Sequence, residues 1–142
     1  MGTRSDIIVV RADGKVARVY CHWDGYLSHN GACLQKHYNK QELAEELVSH
    51  GDMSLLDSKC SKPKGHTYDT PKKGYTVYYG RDRGEADTNA KIFGTLDAAW
   101  PRKDSWTEFT YVWKDGKWWV GSPPQPSSLR PLADALANVT DE

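Results

Sequence analysis

Two Asp-Gly dipeptides, Asp13-Gly14 and Asp115-Gly116, each lie between runs that read as β-strands. Nothing else restricts the fold of this chain as strongly. Asp-Gly reaches positive φ at little cost, so it reverses a strand within a few residues and commits both flanks to antiparallel pairing. Before the first turn, Asp6 to Arg11 contains Ile7-Ile8-Val9-Val10. It is apolar on both faces, as in a central strand. Val16 to His22 returns beside it. At the second turn Thr107, Phe109, Tyr111 and Trp113 alternate with Glu108, Thr110, Val112 and Lys114, and Lys117 to Gly121 returns.

Between the hairpins the pattern changes period. Asn30 or Ser28 can cap a short helix through Tyr38, with Leu34 and Tyr38 on one face. A second helix reads from Asn39 as N-cap, with Glu42 approximating a capping box. Leu43, Ala44, Leu47 and Val48 form its apolar stripe, and Gly51 is its left-handed terminator. Residues 58–74 carry Lys59, Lys62, Lys64, Lys72 and Lys73 among Pro and Gly, which predicts an exposed basic loop. Gly74 to Tyr79 reads as a third strand, and Gly80 to Glu85 as a charged turn. Residues 86–104 stay ambiguous between a short helix and an edge strand.

The expected architecture is α+β: a largely antiparallel sheet of about five strands, built from the two Asp-Gly hairpins plus a central strand, with two or three helices covering one face. Residues 1–121 form a single domain in this reading. Residues 122–142 are a Pro-rich linker and a C-terminal helix, packed on the domain through Leu132 and Leu136 or trailing from it. A length of 142 residues suits one core. Six Trp and eight Tyr against two Phe make that core depend on rings with a polar handle, each needing a partner when buried.

Lys and Arg balance Asp and Glu at 19 each, which argues against a general DNA-coating protein. No apolar run approaches a membrane span and no signal-peptide core is present. Gly2 is not followed by Ser or Thr at position six, so a myristoylation motif is incomplete. Cys21, Cys33 and Cys60, an odd set without CxxC spacing, read as reduced thiols.

Several separated blocks agree in order with a known group. They are Met1-Gly2-Thr3-Arg4-Ser5, Tyr20-Cys21-His22-Trp23-Asp24-Gly25-Tyr26, Asn30-Gly31, Leu34, His37-Tyr38, Tyr79-Gly80-Arg81-Asp82-Arg83-Gly84-Glu85 and Glu108-Phe109-Thr110-Tyr111. Over roughly residues 1–121 the chain resembles a family of small proteins of tailed bacteriophages and prophages. The resemblance implies a setting, the cytoplasm of a bacterial host during infection. It also implies a role by analogy: small non-structural phage proteins of this kind often bind host factors, and some inhibit defence systems such as CRISPR effectors or nucleotide signalling.

The residues themselves offer several sites. His22 and Asp24 point to one side if the strand continues, and a carboxylate would hold the imidazole tautomer; the alternative is that Asp24-Gly25 is a turn. His29, Cys33 and His37 can share a helix face, but without a fourth ligand they imply no metal. Arg81 and Arg83 can grip phosphate between Gly80 and Gly84, with Asp82 or Glu85 orienting a guanidinium and Tyr78 or Tyr79 stacking on a base; the alternative is an internal Arg–carboxylate cluster. Trp106, Phe109, Tyr111, Trp113, Trp118 and Trp119 form either a core or a stacking platform. No nucleophile elbow, Walker loop or dinucleotide fingerprint occurs.

The sequence therefore predicts a non-enzymatic, phage-encoded accessory protein that binds a host protein or ribonucleoprotein complex. The alternative is a binder of a nucleotide or phosphorylated signal through His22, Trp23, Asp24, Tyr26, Tyr79, Arg81, Asp82, Arg83 and Glu85. A hydrolase using His22, Asp24 or His37 is a third class. No cofactor is implied.

Overall fold

A computed structural model describes residues 3–101, 107–121 and 128–137. The first hairpin pairs β1 (Ser5–Val10) with β2 (Val16–Cys21), antiparallel, Val10 opposite Val16. Gly14 takes φ +87°, and its N–H donates to the Arg11 carbonyl. The second hairpin pairs β6 (Phe109–Lys114) with β7 (Lys117–Gly121), with Lys114 opposite Lys117. Here both Asp115 and Gly116 have positive φ, +54° and +76°, as a two-residue turn of the I′ type requires.

Between the hairpins lie a π-helical turn (Leu27–Gly31), α1 (Ala32–His37), α2 (Gln41–Ser49), β3 (Met53–Leu55), β4 (Val77–Tyr78), α3 (Tyr79–Arg83), β5 (Lys91–Phe93) and α4 (Leu96–Ala99). After the second hairpin come β8 (Arg130–Pro131) and α5 (Leu132–Ala137). The sheet order is β4-β3-β2-β1-β6-β7-β8, with β5 on the free length of β2. The fold is α+β, as expected, but the sheet has eight strands rather than about five.

The sheet is also mixed rather than largely antiparallel. β1 runs parallel to β6, with Ile7 opposite Tyr111, and β2 meets β3 in parallel at Cys21 and Met53. The two hairpins lie side by side through their first strands, which point the same way. A hairpin dictates its own internal sense but not that of its outer edge. The central placement of β1, flanked by β2 and β6, agrees with its two apolar faces.

Both faces of the sheet are covered. Ile7, Val9, Val19, Cys21, Tyr111 and Trp113 pack with Leu34, Leu47, Val48 and Leu132, under α1, α2 and α5. On the other face Ile8, Val16 and Val112 pack against Ala99 and Trp100, with Leu96 of α4 alongside. The expectation that helices cover one face is corrected accordingly. Leu132 and Ala135 place α5 in the main core, and β8 pairs with β7.

The aromatic hairpin is mainly core. Tyr111, Trp113 and Trp118 are buried, Phe109 and Trp119 are half-buried, and Trp106 lies outside the described residues. Each buried handle of this hairpin finds an oxygen, whereas the Trp100 Nε1 on the other face has no partner among the described residues. Trp118 donates to the Tyr38 carbonyl at 2.9 Å, Trp113 to Gln41 Oε1 at 2.7 Å and Tyr111 to the Gly25 carbonyl at 2.5 Å.

Several local readings change. α2 has Lys40 rather than Asn39 at its N-cap, with no side-chain capping bond, while Gly51 does take φ +90° as its terminator. The predicted strand from Gly74 contracts to Val77–Tyr78, and the charged turn that followed it is α3, ended by Gly84 at φ +77°. The ambiguous stretch contains both β5 and α4. Tyr111→Phe is expected to cost about 1–2 kcal/mol, because it leaves the buried Gly25 carbonyl short of a donor. Urea denaturation of the two proteins measures that difference.

Candidate functional site

The corner at 20–31 is built around the end of β2. The Asp24 backbone is left-handed, φ +58°, and its carbonyl accepts from the Asn30 N–H. Asp24-Gly25 is thus a turn, and the catalytic pairing with His22 is not made: His22 Nδ1 faces the Tyr20 hydroxyl at 2.7 Å instead. Gly25 has no room for a side chain, since a Cβ there would lie 2.7 Å from the Thr3 carbonyl oxygen. Asn30 is fully buried and spans Ser5 Oγ, Cys21 Sγ and the Trp23 carbonyl, each at 3.4 Å. Tyr26 is half-buried, its ring 6.1 Å from that of His29.

Arg81 and Asp82 are spent inside the protein. Arg81 Nε and Nη2 hold the two Asp82 oxygens at 2.9 and 3.1 Å, and Nη1 donates to the Cys60 carbonyl at 2.7 Å. The guanidinium also lies 4.7 Å above the Tyr78 ring. Asp82 Oδ2 accepts from the Tyr78 N–H at 2.8 Å and sits 3.4 Å from His66 Nε2. Burial pushes the Asp82 carboxyl up, yet the hydrogen bonds from Arg81 and the Tyr78 amide, with the Arg81 charge, hold it below its ordinary range. The internal Arg–carboxylate cluster, rather than an open phosphate grip, describes this pair.

His66 completes the knot. It is fully buried, its Nδ1 accepts from the Lys72 N–H at 2.9 Å, and Nε2 faces the Thr76 carbonyl at 3.1 Å. A backbone donor at Nδ1 fixes the neutral tautomer with its proton on Nε2. The basic segment 58–74 is therefore anchored from within. Its Lys, Gly and Pro content described the exposed outside and concealed His66, a side chain that pins it from within.

At the surface Trp23 meets His22, and Tyr79 and Arg83 gather on Tyr68 with Glu85 beside Arg83. Trp23 is 40% exposed and meets the His22 ring edge-on at 4.7 Å. The Trp23 N–H donates to the Ser54 carbonyl, and the Ser54 side chain lies close enough to Tyr79 to offset part of the rise that burial gives its phenol. Burial raises the Tyr20 phenol, Arg4 offsets part of that, and the neighbouring Tyr79 phenol adds to it. Tyr79 stacks on Tyr68 with centroids 6.0 Å apart. Arg83 lies over Tyr68 at 4.6 Å and reaches Glu85 at 3.8 Å.

Ser54 and Tyr79 thus link the Trp23 corner to the residue that precedes the 80–85 turn, in a ribbon of rings ending in the exposed Arg83 guanidinium. Ser54 and Tyr68 belong to it and carried no sequence signal of their own. A cleft of about 510 Å³ lies elsewhere, lined by Arg11, Glu45, Asn89 and Ile92 among others. A smaller one of about 210 Å³ lies beside His29, Cys33 and His37.

Asp6 stands apart as a buried carboxyl. Its Oδ2 has no hydrogen-bond partner among the described residues, and burial pushes the group up to about 6 although Thr107 and Arg18 act the other way. No protein-family model, curated protein or solved structure matches this chain significantly.

Two expectations follow. A folded value above the unfolded one means that Asp6 binds its proton more tightly when folded, so its contribution to stability is present below about pH 4 and lost as pH rises through 6. Asp6→Asn should flatten that loss, raising stability at pH 7 by about 1–3 kcal/mol, with no gain at pH 3.5; denaturation across pH measures it. Arg81→Ala should lower stability by about 3 kcal/mol, because it strands the Asp82 carboxylate inside the protein. Thermal or urea unfolding at pH 7 reads it.

Proposed function

We propose that this chain is a phage-encoded accessory protein that works by binding a host protein, with the Trp23–Tyr79–Arg83 ribbon as its contact surface. The observation that carries the reading is the state of the two arginines. Arg81 is consumed by Asp82 and the Cys60 carbonyl, while Arg83 stands exposed beside stacked tyrosines. Trp, Tyr and Arg are the residues that most often anchor protein interfaces, since rigid rings bury much area at little entropic cost.

Lys59, Lys62, Lys64, Lys72 and Lys73 are exposed on the adjoining loop and would favour an acidic partner surface. The family resemblance implies that the partner is bacterial, and inhibition of a defence system such as CRISPR is the activity it suggests. Among the described residues no helix is long and apolar enough to cross a membrane, and this agrees with a partner met in solution.

A nucleotide-binding reading keeps the Tyr68–Tyr79 stack and Arg83 but has lost Arg81 as a phosphate ligand. Calorimetry with cyclic and linear nucleotides separates the two. In the protein-binding reading, tagged protein retains a discrete host protein from bacterial lysate. Trp23→Ala and Arg83→Ala each weaken that purified complex about 30-fold or more while leaving the melting temperature close to wild type. Failure to retain any host protein, or equal affinity in both variants, defeats the reading. Nucleotide binding abolished by Tyr79→Ala transfers it to the ligand class.

A further inference from the structure

Glu46, His50 and Cys60 bring three different metal-binding groups to one place. One carboxylate oxygen, one imidazole nitrogen and the Cys60 sulfur all lie within 4.8 Å of one another. Two separately anchored elements supply them. Glu46 sits in the last turn of α2, and His50 is its C-cap residue. A spacing of four residues puts two side chains on one helix face. Cys60 comes from the basic segment, where the Lys59–Tyr75 bridge and the Arg81 bond to the Cys60 carbonyl hold the backbone.

We propose that Glu46, His50 and Cys60 bind a divalent transition-metal cation, zinc by preference. The donor set carries the choice. Thiolate, imidazole and carboxylate are all ordinary zinc ligands, whereas calcium and magnesium require oxygen throughout. Zinc with these donors sits about 2.0–2.3 Å from each, which puts neighbouring donor atoms roughly 3.3–3.8 Å apart. The site must therefore close by up to about 1 Å, with rotation of the exposed Glu46 side chain bringing its carboxylate in and rotation of the half-buried His50 ring adjusting the rest.

The His50 ring packs edge-on against Tyr78 at 5.0 Å, which steadies its plane. Cys60 is buried while Glu46 is exposed, so the cation enters from the Glu46 side and leaves one coordination position to water. On binding, Cys60 releases its thiol proton to solvent and a zinc–sulfur bond forms. Zinc, thiolate and carboxylate then sum to zero charge. The Arg81 guanidinium nearby is already neutralised by Asp82. The bound ion would tie the end of α2 to the basic segment.

The test uses the full chain with its thiols reduced and zinc chloride as the probe. Calorimetry should show one zinc per chain with release of about one proton, and cobalt substitution should give a thiolate-to-cobalt absorption band. Zinc at a hundredfold excess over its Kd should raise the melting temperature by about 10 °C. Glu46→Gln and His50→Gln should each weaken zinc binding about 100-fold or more, and Cys60→Ser should abolish the cobalt band. Because Cys60→Ser disturbs a buried position, Glu46→Gln on the exposed side decides the matter if the serine variant fails to fold. Cys33→Ser should leave binding unchanged. Absence of zinc binding in the wild type overturns the proposal. So does binding that survives Glu46→Gln and His50→Gln, or that is lost in Cys33→Ser instead.

Discussion

The structure depends on satisfying the polar ends of its buried rings. Trp118, Tyr38, Tyr78 and Tyr111 are the largest fully buried side chains, and each carries an N–H or O–H that is costly to leave alone in an apolar interior. The partners are oxygens of the layer above the sheet. Trp118 reaches the carbonyl of Tyr38, Trp113 the side chain of Gln41, and Tyr78 the carbonyl of Leu47 at 2.6 Å. Tyr38 in turn reaches the Asp57 carbonyl at 2.6 Å. A Phe core could slide under α1 and α2. These bonds set where each helix ends relative to the strand beneath it.

The segment between β3 and α3 works on the same principle with charges in place of rings. It has little regular structure, yet Asp82 gathers Arg81, the Tyr78 amide and His66 around one carboxylate. With Arg81 turned inward, the five-residue α3 delivers Tyr79 and Arg83 to the surface beside Tyr68. The same inward turn brings the Cys60 carbonyl under the guanidinium, and the Cys60 sulfur lies near Glu46 and His50 of α2's end. The interior knot thereby governs both the exposed ribbon and the Glu46–His50–Cys60 cluster.

Much of the fold was legible because short-range rules governed it. β-Branched alternation and Asp-Gly located the hairpins, two apolar faces placed β1 at the centre, and Gly51 ended α2. The candidate site was legible only in part. His22, Trp23 and Tyr79 were identified from residue type, but Arg81 and Arg83 are chemically alike and two positions apart. Whether each faces in or out depends on Asp82 being buried beneath α3, a fact of packing that no local pattern encodes. His66 escaped notice for the converse reason: its neighbours in sequence are exposed, while its contacts, Thr76 and Asp82, come from further along the chain.

The sequence by itself determined the α+β class, both hairpins, the helix at 41–49 and a core rich in rings with polar handles. These follow from backbone preference and periodicity within a few residues. Only the tertiary structure decided the parallel join of β1 to β6, the additional short strands and the covering of both sheet faces. It alone sent Arg81 inward and left Arg83 outside. Those outcomes rest on long-range burial, where a chain segment far away supplies the hydrogen-bond partner or the apolar surface, and sequence neighbours carry no record of it.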